Sequence, residues 1–467
     1  MRRILAFAAV LVIACTAAVG FSAAQLHKAS EQVEFTGRIE YGDPAAAGDV
    51  QLTLRTQYDR HLFWNTACRF DNAGVQAQTE FSFSAVERIE GRDDSYSGVE
   101  LQTAVYAGMG DPDEPQEGLA AAYQELYRQT PPGGERSRVI YLKDYCTYYP
   151  LSVHLDFPGC FLHLDPVDTY RSDLLRKVAQ AFADFFRIPV LSDSQIEISV
   201  SRDISRNSTG FGMGKCEGDE FYLWTDSVCT DSACYFTFDA HTAQGKLADT
   251  SAIPGGYGIY RIAAAEDDAG MLAAVQKMEM AYALDPENTF LGLDLAPQQD
   301  ALLVHTVEDG MYTLTVIEVD GMQTLQKLTV MPWPENEENY GWQFYISEEF
   351  IAVVLSEKTL TVLSRDIEGT YHVGFTAPLG LAADAIRDSK SRNAMDFSGE
   401  NIVVSGFLYE EEMYGESCGF YLAVYDAYGL RYYGEYASSL DAFGSVLRYS
   451  ERCFPSETDA ICVTIMP

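Results

Sequence analysis

Residues 285–332, DPENTFLGLDLAPQQDALLVHTVEDGMYTLTVIEVDGMQTLQKLTVMP, decide how the rest of the chain is read. Phe290–Leu295, Ala301–Val307, Tyr312–Val319 and Leu325–Met331 are four short runs rich in Val, Leu, Thr and Tyr. Glu308-Asp309-Gly310 closes the second run and Asp320-Gly321 the third. Asp-Gly supplies the positive φ that a tight hairpin turn needs, and β-branched and aromatic residues suit a pleated, half-buried surface. Four strands without an intervening helix make an antiparallel meander. The pattern returns as Trp342–Ser347, Phe350–Leu355, Thr359–Ser364 and Tyr371–Ala377, and again as Ala394–Phe397, Ile402–Leu408, Phe420–Tyr425 and Arg431–Tyr436.

The three sets open roughly fifty residues apart, within the range of propeller blades. A sandwich accommodates strands at this spacing but has no need of groups of four. The expected fold is therefore all-β, a β-propeller of six to eight four-stranded blades over residues 49–467, with seven the central expectation. In a closed ring an N-terminal strand completes the blade made by the C-terminus and removes a free edge. Gln32–Tyr41 is the candidate strand, with Val463–Met466 and Ser445–Tyr449 as its candidate partners; residues 25–48 otherwise read as a linker.

At the start of the chain Arg2-Arg3 precedes Ile4–Ala24, which carries no charge. An apolar stretch of this length can cross a bilayer, and the arginines hold its start in the cytoplasm, so the body is expected outside. Three fates fit residues 1–24. The segment stays as an anchor, is cleaved after Ser22-Ala23-Ala24, or is lipidated at Cys15 within Val12-Ile13-Ala14-Cys15. The apolar continuation Thr16–Ala24 argues against lipidation.

The net charge of −37 repels phosphate backbones and anionic lipid, so nucleic acid is excluded as a partner and membrane association is expected through the N-terminal segment only. Nine of the ten cysteines lie beyond that segment, and export permits disulfides. Cys229 with Cys234, and Cys453 with Cys462, are the candidate bridges across hairpins. No Cys-x-x-Cys pair is present.

Two helices interrupt the strand pattern. Glu117–Arg128 has helical spacing, and Leu174, Leu175, Val178, Phe182, Phe185 and Phe186 form one apolar face, capped by Thr169 or Ser172 and ended by Pro189. The second helix belongs to an insertion or to a small α+β unit over about residues 135–200. Its Arg171, Arg176, Lys177 and Arg187 read as a solvated face. Ser205–Gly218, with four glycines, reads as a loop.

Little in the sequence carries chemistry. Gly415-Glu416-Ser417-Cys418-Gly419 matches a nucleophile elbow in spacing, but a strand follows it where a helix is required. Leu223-Trp224-Thr225-Asp226 occurs once and reads as strand packing. His154, Cys160 and His163 lie close enough in sequence to bind a metal at a turn. Tyr145, Tyr148 and Tyr149, and Tyr432, Tyr433 and Tyr436, form two tyrosine-rich spots suited to sugar or peptide. No motif implies a cofactor. Two functions follow: a non-catalytic binding or scaffold module for a protein, peptide or cell-wall glycan, or a glycan hydrolase with paired carboxylates in the central channel.

Overall fold

The computed structural model describes residues 2–58, 62–71, 74–83, 98–103, 117–157, 160–164, 173–203, 208–215, 221–242, 247–265, 268–334, 341–355, 358–388, 393–408, 419–439 and 461–466. The chain divides into two compact units, residues 1–92 with 336–467, and residues 93–335. The first unit begins with α1 (Arg2–Ser30), then β1 (Phe35–Gly42), β2 (Val50–Tyr58), β3 (Leu62–Asp71) and β4 (Gly74–Phe83).

The second unit holds β5 (Gly98–Thr103), α2 (Gly118–Gln129), β6 (Glu135–Tyr141), β7 (Leu151–Phe157), β8 (Cys160–Leu164) and α3 (Asp173–Phe185). It continues through β9 (Gln195–Asp203), β10 (Ser208–Lys215), β11 (Phe221–Cys229), β12 (Ala233–Thr242), β13 (Gly258–Ala263), α4 (Asp268–Gln276) and β14 (Glu279–Ala283). It ends with β15 (Thr289–Leu295), β16 (Ala301–Glu308), β17 (Met311–Glu318) and β18 (Thr324–Pro332). The chain then returns to the first unit with β19 (Trp342–Ile346), β20 (Phe350–Leu355), β21 (Thr359–Arg365) and β22 (Tyr371–Pro378). After α5 (Ala383–Asp388) come β23 (Ala394–Phe397), β24 (Ile402–Leu408), β25 (Gly419–Asp426), β26 (Gly429–Ser438) and β27 (Ile461–Ile465).

The three sets of four strands read from the sequence form as three antiparallel sheets in chain order, β15 to β18, β19 to β22, and β23 to β26. The turn that decided the reading behaves as its chemistry requires: Asp309 and Gly310 both take positive φ, and Glu308 pairs Met311 across them. Among the described residues the remaining sheets are β11 to β14 in order, β5-β7-β8, β10-β9-β6 and β27-β2-β3-β4. The fold is all-β with antiparallel sheets.

The termini complete each other's sheets, with one change from the expected pairing. β1 does extend the C-terminal sheet, but its partner is β26, with Phe35 opposite Ser438. Val463, expected beside β1, instead pairs Leu52 of β2, because β27 enters as the first strand of the N-terminal sheet. Ser445–Tyr449 lies outside the described residues.

Within α1, Val10–Ser30 is long and apolar enough to cross a membrane. Cys15 is exposed on it, and the helix runs on unbroken to Ser30. Leu26, Ala29 and the following Val33 pack on Trp64 of β3. The other helices form where their apolar spacing placed them. Leu119, Ala122, Tyr123 and Leu126 of α2 are buried, as are Val178 and Phe182 of α3 and Phe186 just past its end. Phe186 packs edge-on against Phe236, Phe238 and Tyr260, and burying such a ring contributes about 2–3 kcal/mol. The capping candidates Thr169 and Ser172 lie outside the described residues. Arg187 pairs with Asp184 at 3.2 Å, while Lys177 is exposed.

Part of the expected loop Ser205–Gly218 is a strand. In β10, Gly210 and Gly212 lie opposite Ser201 and Ser199 of β9, whose hydroxyls would collide with any Cβ there. Between them Phe211 pairs with Val200 and meets Tyr123 of α2 edge-on at 5.6 Å. The glycines keep one face clear while Phe211 anchors the other, a pattern that composition alone reads as a loop. Cys229 and Cys234 are directly opposed across β11 and β12, as expected, and stand as free thiols. Burial, then the Cys229 neighbour, pushes the Cys234 thiol well up. Cys462 is also free, and Cys453 lies outside the described residues.

Candidate functional site

In each unit the first strands of neighbouring sheets lie side by side, joined by side-chain-to-backbone bonds. In the second unit Thr225 of β11 accepts from Leu101 N–H at 2.9 Å and donates to Leu101 C=O at 3.2 Å, while Ser227 accepts from Val99 N–H at 3.2 Å. On its other side Asp226 Oδ2 accepts from Leu293 N–H of β15 at 2.7 Å, and Oδ1 from Ser227 N–H at 2.9 Å. The first unit repeats the device. Asp396 of β23 accepts from Ile465 N–H of β27 at 2.6 Å through Oδ2, and from Phe397 N–H at 2.9 Å through Oδ1. These carboxylates staple one sheet to the next.

Strand alternation then decides what surrounds Asp226. Phe221, Leu223, Thr225 and Ser227 occupy one face of β11; Tyr222, Trp224, Asp226 and Val228 occupy the face turned to the β15–β18 sheet. Deep in that contact Tyr235 and Ile259 pack on Phe290, Leu293, Leu302 and Val304. Toward the start of β11 the contact reaches the surface, level with the start of β15 at Thr289. Trp224 meets Phe290 at 5.7 Å and keeps 45% of its surface exposed; Tyr222 keeps 46%. Directly opposite them on β12 stand Asp239 and His241. His241 Nε2 lies 2.7 Å from Asp239 Oδ1, and that bond raises the imidazole above its ordinary value against the opposing effect of burial. His241 Nδ1 is buried with no hydrogen-bond partner among the described residues.

Phe290, which Trp224 meets, also lines a cleft of about 150 Å³ between the two sheets, together with Tyr257, Tyr282, Asp285, Asn288, Thr306, Glu308 and Lys327 among others. Lys327 pairs with Glu308 at 2.6 Å and Tyr282 with Thr324 at 2.9 Å. Asp239 acts on Tyr257, whose phenol is pushed up by burial and then by that charge. Two partly exposed rings and an acid–imidazole pair thus share one place, with a polar cleft beside them across Phe290 and Tyr257. Leu223-Trp224-Thr225-Asp226 was its only trace in the sequence, and Trp224 is a ledge residue where strand packing was expected.

Asp226 is also pushed up, to about 6, chiefly by burial and further by Asp294 on the adjoining strand, against the lowering effect of its N–H donors. Asp294 Oδ2 lies 3.2 Å from His305 Nε2, and His305 Nδ1 shares a 2.8 Å hydrogen bond with the Tyr312 hydroxyl. His305 and Tyr312 are wholly buried, so this chain reaches solvent only at Asp294.

The residues expected from sequence are placed differently. Tyr432, Tyr433 and Tyr436 are 2%, 4% and 2% exposed, because β26 is covered on both faces by core and along its edge by β1. Of the other spot, Tyr149 is buried and stacked on Phe221 at 4.0 Å, Tyr145 accepts from Arg138 at 3.2 Å, and Tyr148 stays exposed beneath the Arg187 guanidinium. His154 and His163 are directly opposed across β7 and β8, whereas Cys160 pairs Phe157. Cys160 and His163 stand three positions apart on β8. His154 Nδ1 instead lies 3.7 Å from Glu100. Among the described residues no group of three His, Cys, Asp or Glu is arranged for a metal. The Ser417 motif lies outside them.

A wider cleft of about 460 Å³ in the first unit is lined by Thr53, Asn65, Thr66, Gln78 and Glu80 and by small apolar residues. It offers no ring and a single carboxylate, so the ledge is the richer site.

No family model matches the chain, and no curated protein matches it. Among solved structures, the periplasmic gluconolactonase PpgL of Pseudomonas aeruginosa is 10% identical, aligned over 81% of this chain and 92% of that one, with a TM-score of 0.26. The Cps50 (Swd1) β-propeller domain of Myceliophteria thermophila is 9% identical over 50% and 80%, with a TM-score of 0.23. A chain of the mitotic checkpoint complex is 10% identical over 36% of this chain and 40% of its own length, with a TM-score of 0.22. Similarities this slight carry no argument about function.

Proposed function

We propose that this is an exported β-propeller that serves as a non-catalytic binding or scaffold module, its ligand a protein, peptide or cell-wall glycan held at the Tyr222–Trp224 ledge. The observation that carries this reading is the pair of half-exposed rings beside Asp239 and His241. The stapling Asp226 behind them is already committed to two backbone donors. Neighbouring first strands joined by staples within each unit, and termini that complete each other's sheets, support the propeller reading. β6, α3 and β9 then fall within an inserted unit over about residues 135–200, with α2 and β10 on either side of it. Residues 1–24 act as signal or anchor; a periplasm-dependent reporter fused after residue 45 tests export, and a cytoplasmic signal counts against it.

A hydrolase is the second reading, favoured by Asp226 and Asp294 on adjoining strands. Burial raises the Asp226 carboxyl above its ordinary range, and a carboxyl that holds its proton is what a general acid requires. Assaying chromogenic glycosides separates the two readings. Turnover that vanishes in Asp294→Asn, with unchanged melting temperature, establishes the hydrolase; ligand binding without turnover, lost in Trp224→Ala, establishes the binding module.

A further inference from the structure

Resting on the reading of the ledge as a binding site, we infer that its ligand is an uncharged saccharide, with a pyranose ring laid on Trp224 and Tyr222 and its hydroxyls taken by Asp239, His241 and Tyr257. Three observations point there. First, a sugar ring has an apolar C–H face and a polar rim, and the ledge offers the complement. Indole and phenol lie side by side on β11, with a carboxylate and an imidazole directly opposite on β12. Aromatic side chains supply rigid apolar area at little entropic cost, while Asp and His supply directed acceptors and donors.

Second, two of the carboxylates at the site are already paired: Asp239 is held by His241 at 2.7 Å and Glu308 by Lys327 at 2.6 Å, while Asp285 accepts from the Glu287 backbone N–H at 3.0 Å. A cationic peptide would have to break these pairs to use the carboxylates, and an anionic ligand would meet a chain of net charge −37. A polyol can hydrogen-bond to paired groups without displacing either partner.

Third, the site has unspent hydrogen-bonding capacity and limited room. His241 Nδ1 is buried without a partner among the described residues, next to the exposed rings. The adjoining cleft of about 150 Å³ is small for a drug-sized molecule, whose pockets run to several hundred Å³, and suits one ring or its substituent.

The full-length protein in detergent is titrated with cellotetraose, chitotetraose and tetralysine, following tryptophan fluorescence and heat. The expected result is binding of at least one neutral oligosaccharide. Trp224→Ala should weaken it roughly tenfold or more, and Asp239→Asn measurably. Tyr428→Ala, an exposed ring elsewhere, should leave it unchanged. Melting temperatures establish that each variant is folded. Tetralysine bound in preference, and lost in Trp224→Ala, overturns the saccharide inference and leaves the ledge reading standing. Saccharide binding that ignores both Trp224→Ala and Tyr222→Ala overturns both. Binding of none of the three probes overturns the saccharide inference, and the ledge reading then rests on its own assay.

Discussion

Asp226 in the second unit and Asp396 in the first perform the same task with the same bonds. Each gives one carboxylate oxygen to the next backbone N–H and the other to the first strand of the neighbouring sheet. Their flanks differ. Two residues before Asp396 stands Ala394, 9% exposed and packed with Val403, Val424 and Val463. Two residues before Asp226 stands Trp224, half in solvent. Where the contact between sheets is sealed by alanine, the staple is framework and nothing more. Where a large ring overhangs the contact, the same framework carries a surface. The difference teaches that the carboxylate is not the functional signal here; its neighbour on the same face is.

Removing the staples should separate them most sharply. Asp396→Ala leaves the Ile465 and Phe397 N–H groups without their acceptor and loosens β27, whose other strand partner is β2 alone. The expected cost is about 2–6 kcal/mol, from one to three per orphaned donor. Asp226→Ala orphans two donors as well, but it also removes a carboxylate that burial makes costly to ionise, so about 1–3 kcal/mol is expected. Denaturant midpoints decide the order, and equal losses would show that the surroundings of the staple do not matter.

A change of pH should sharpen the same contrast. The folded value for Asp226 is raised from 3.8 to about 6, chiefly by burial. Between those values the folded state holds a proton that the unfolded state has released, so the contribution of Asp226 to stability is largest below the window and falls as pH rises through it. At 1.36 kcal/mol per unit the loss is at most about 3 kcal/mol, less for what solvent reaches this largely buried group. Asp226→Asn keeps one acceptor and cannot ionise, so its stability relative to the parent should improve from pH 4 to pH 6.5. A pH-independent difference between the two would contradict the assignment.

The repeating strands were legible because their chemistry is local. Alternating Val, Leu, Thr and Tyr between Asp-Gly turns specifies a hairpin without reference to the rest of the chain, and β20, β23 and β24 run between the very residues expected. The staples were not legible: Thr225-Asp226-Ser227 and Met395-Asp396-Phe397 share only the aspartate, and each partner N–H lies more than sixty residues away. Tyr432 and Tyr433 looked like a surface because sequence gives alternation within a sheet but not what covers its two faces. Trp224 looked like packing for the converse reason, since its exposure depends on how much of β11 a distant sheet covers. The ledge is thus a product of how two sheets meet, which no local pattern records.

Filling the sealed flank tests that argument directly. Ala394→Leu forces a larger side chain between Val403, Val424 and Val463, and overpacking of this kind costs about 1–3 kcal/mol. A variant as stable as the parent would mean that the first-unit contact is as open as the ledge.

The smallest effect on stability is expected at Trp224 itself. The indole meets Phe290 at 5.7 Å, a contact between rings worth about 0.5–1.5 kcal/mol, and 45% of its surface already faces water. Truncation to alanine also uncovers part of Phe290, which is 3% exposed, so some loss is unavoidable. Against that, no hydrogen bond of the staple passes through the indole: Asp226 keeps both donors, and Thr225 keeps Leu101 on the other face. Trp224→Ala should therefore destabilise the protein by about 1 kcal/mol, at the foot of the range for Asp226→Ala and short of Asp396→Ala, read from the same denaturant midpoints. A loss comparable to Asp396→Ala would make Trp224 a structural residue like Ala394, and the contrast between the two flanks would disappear.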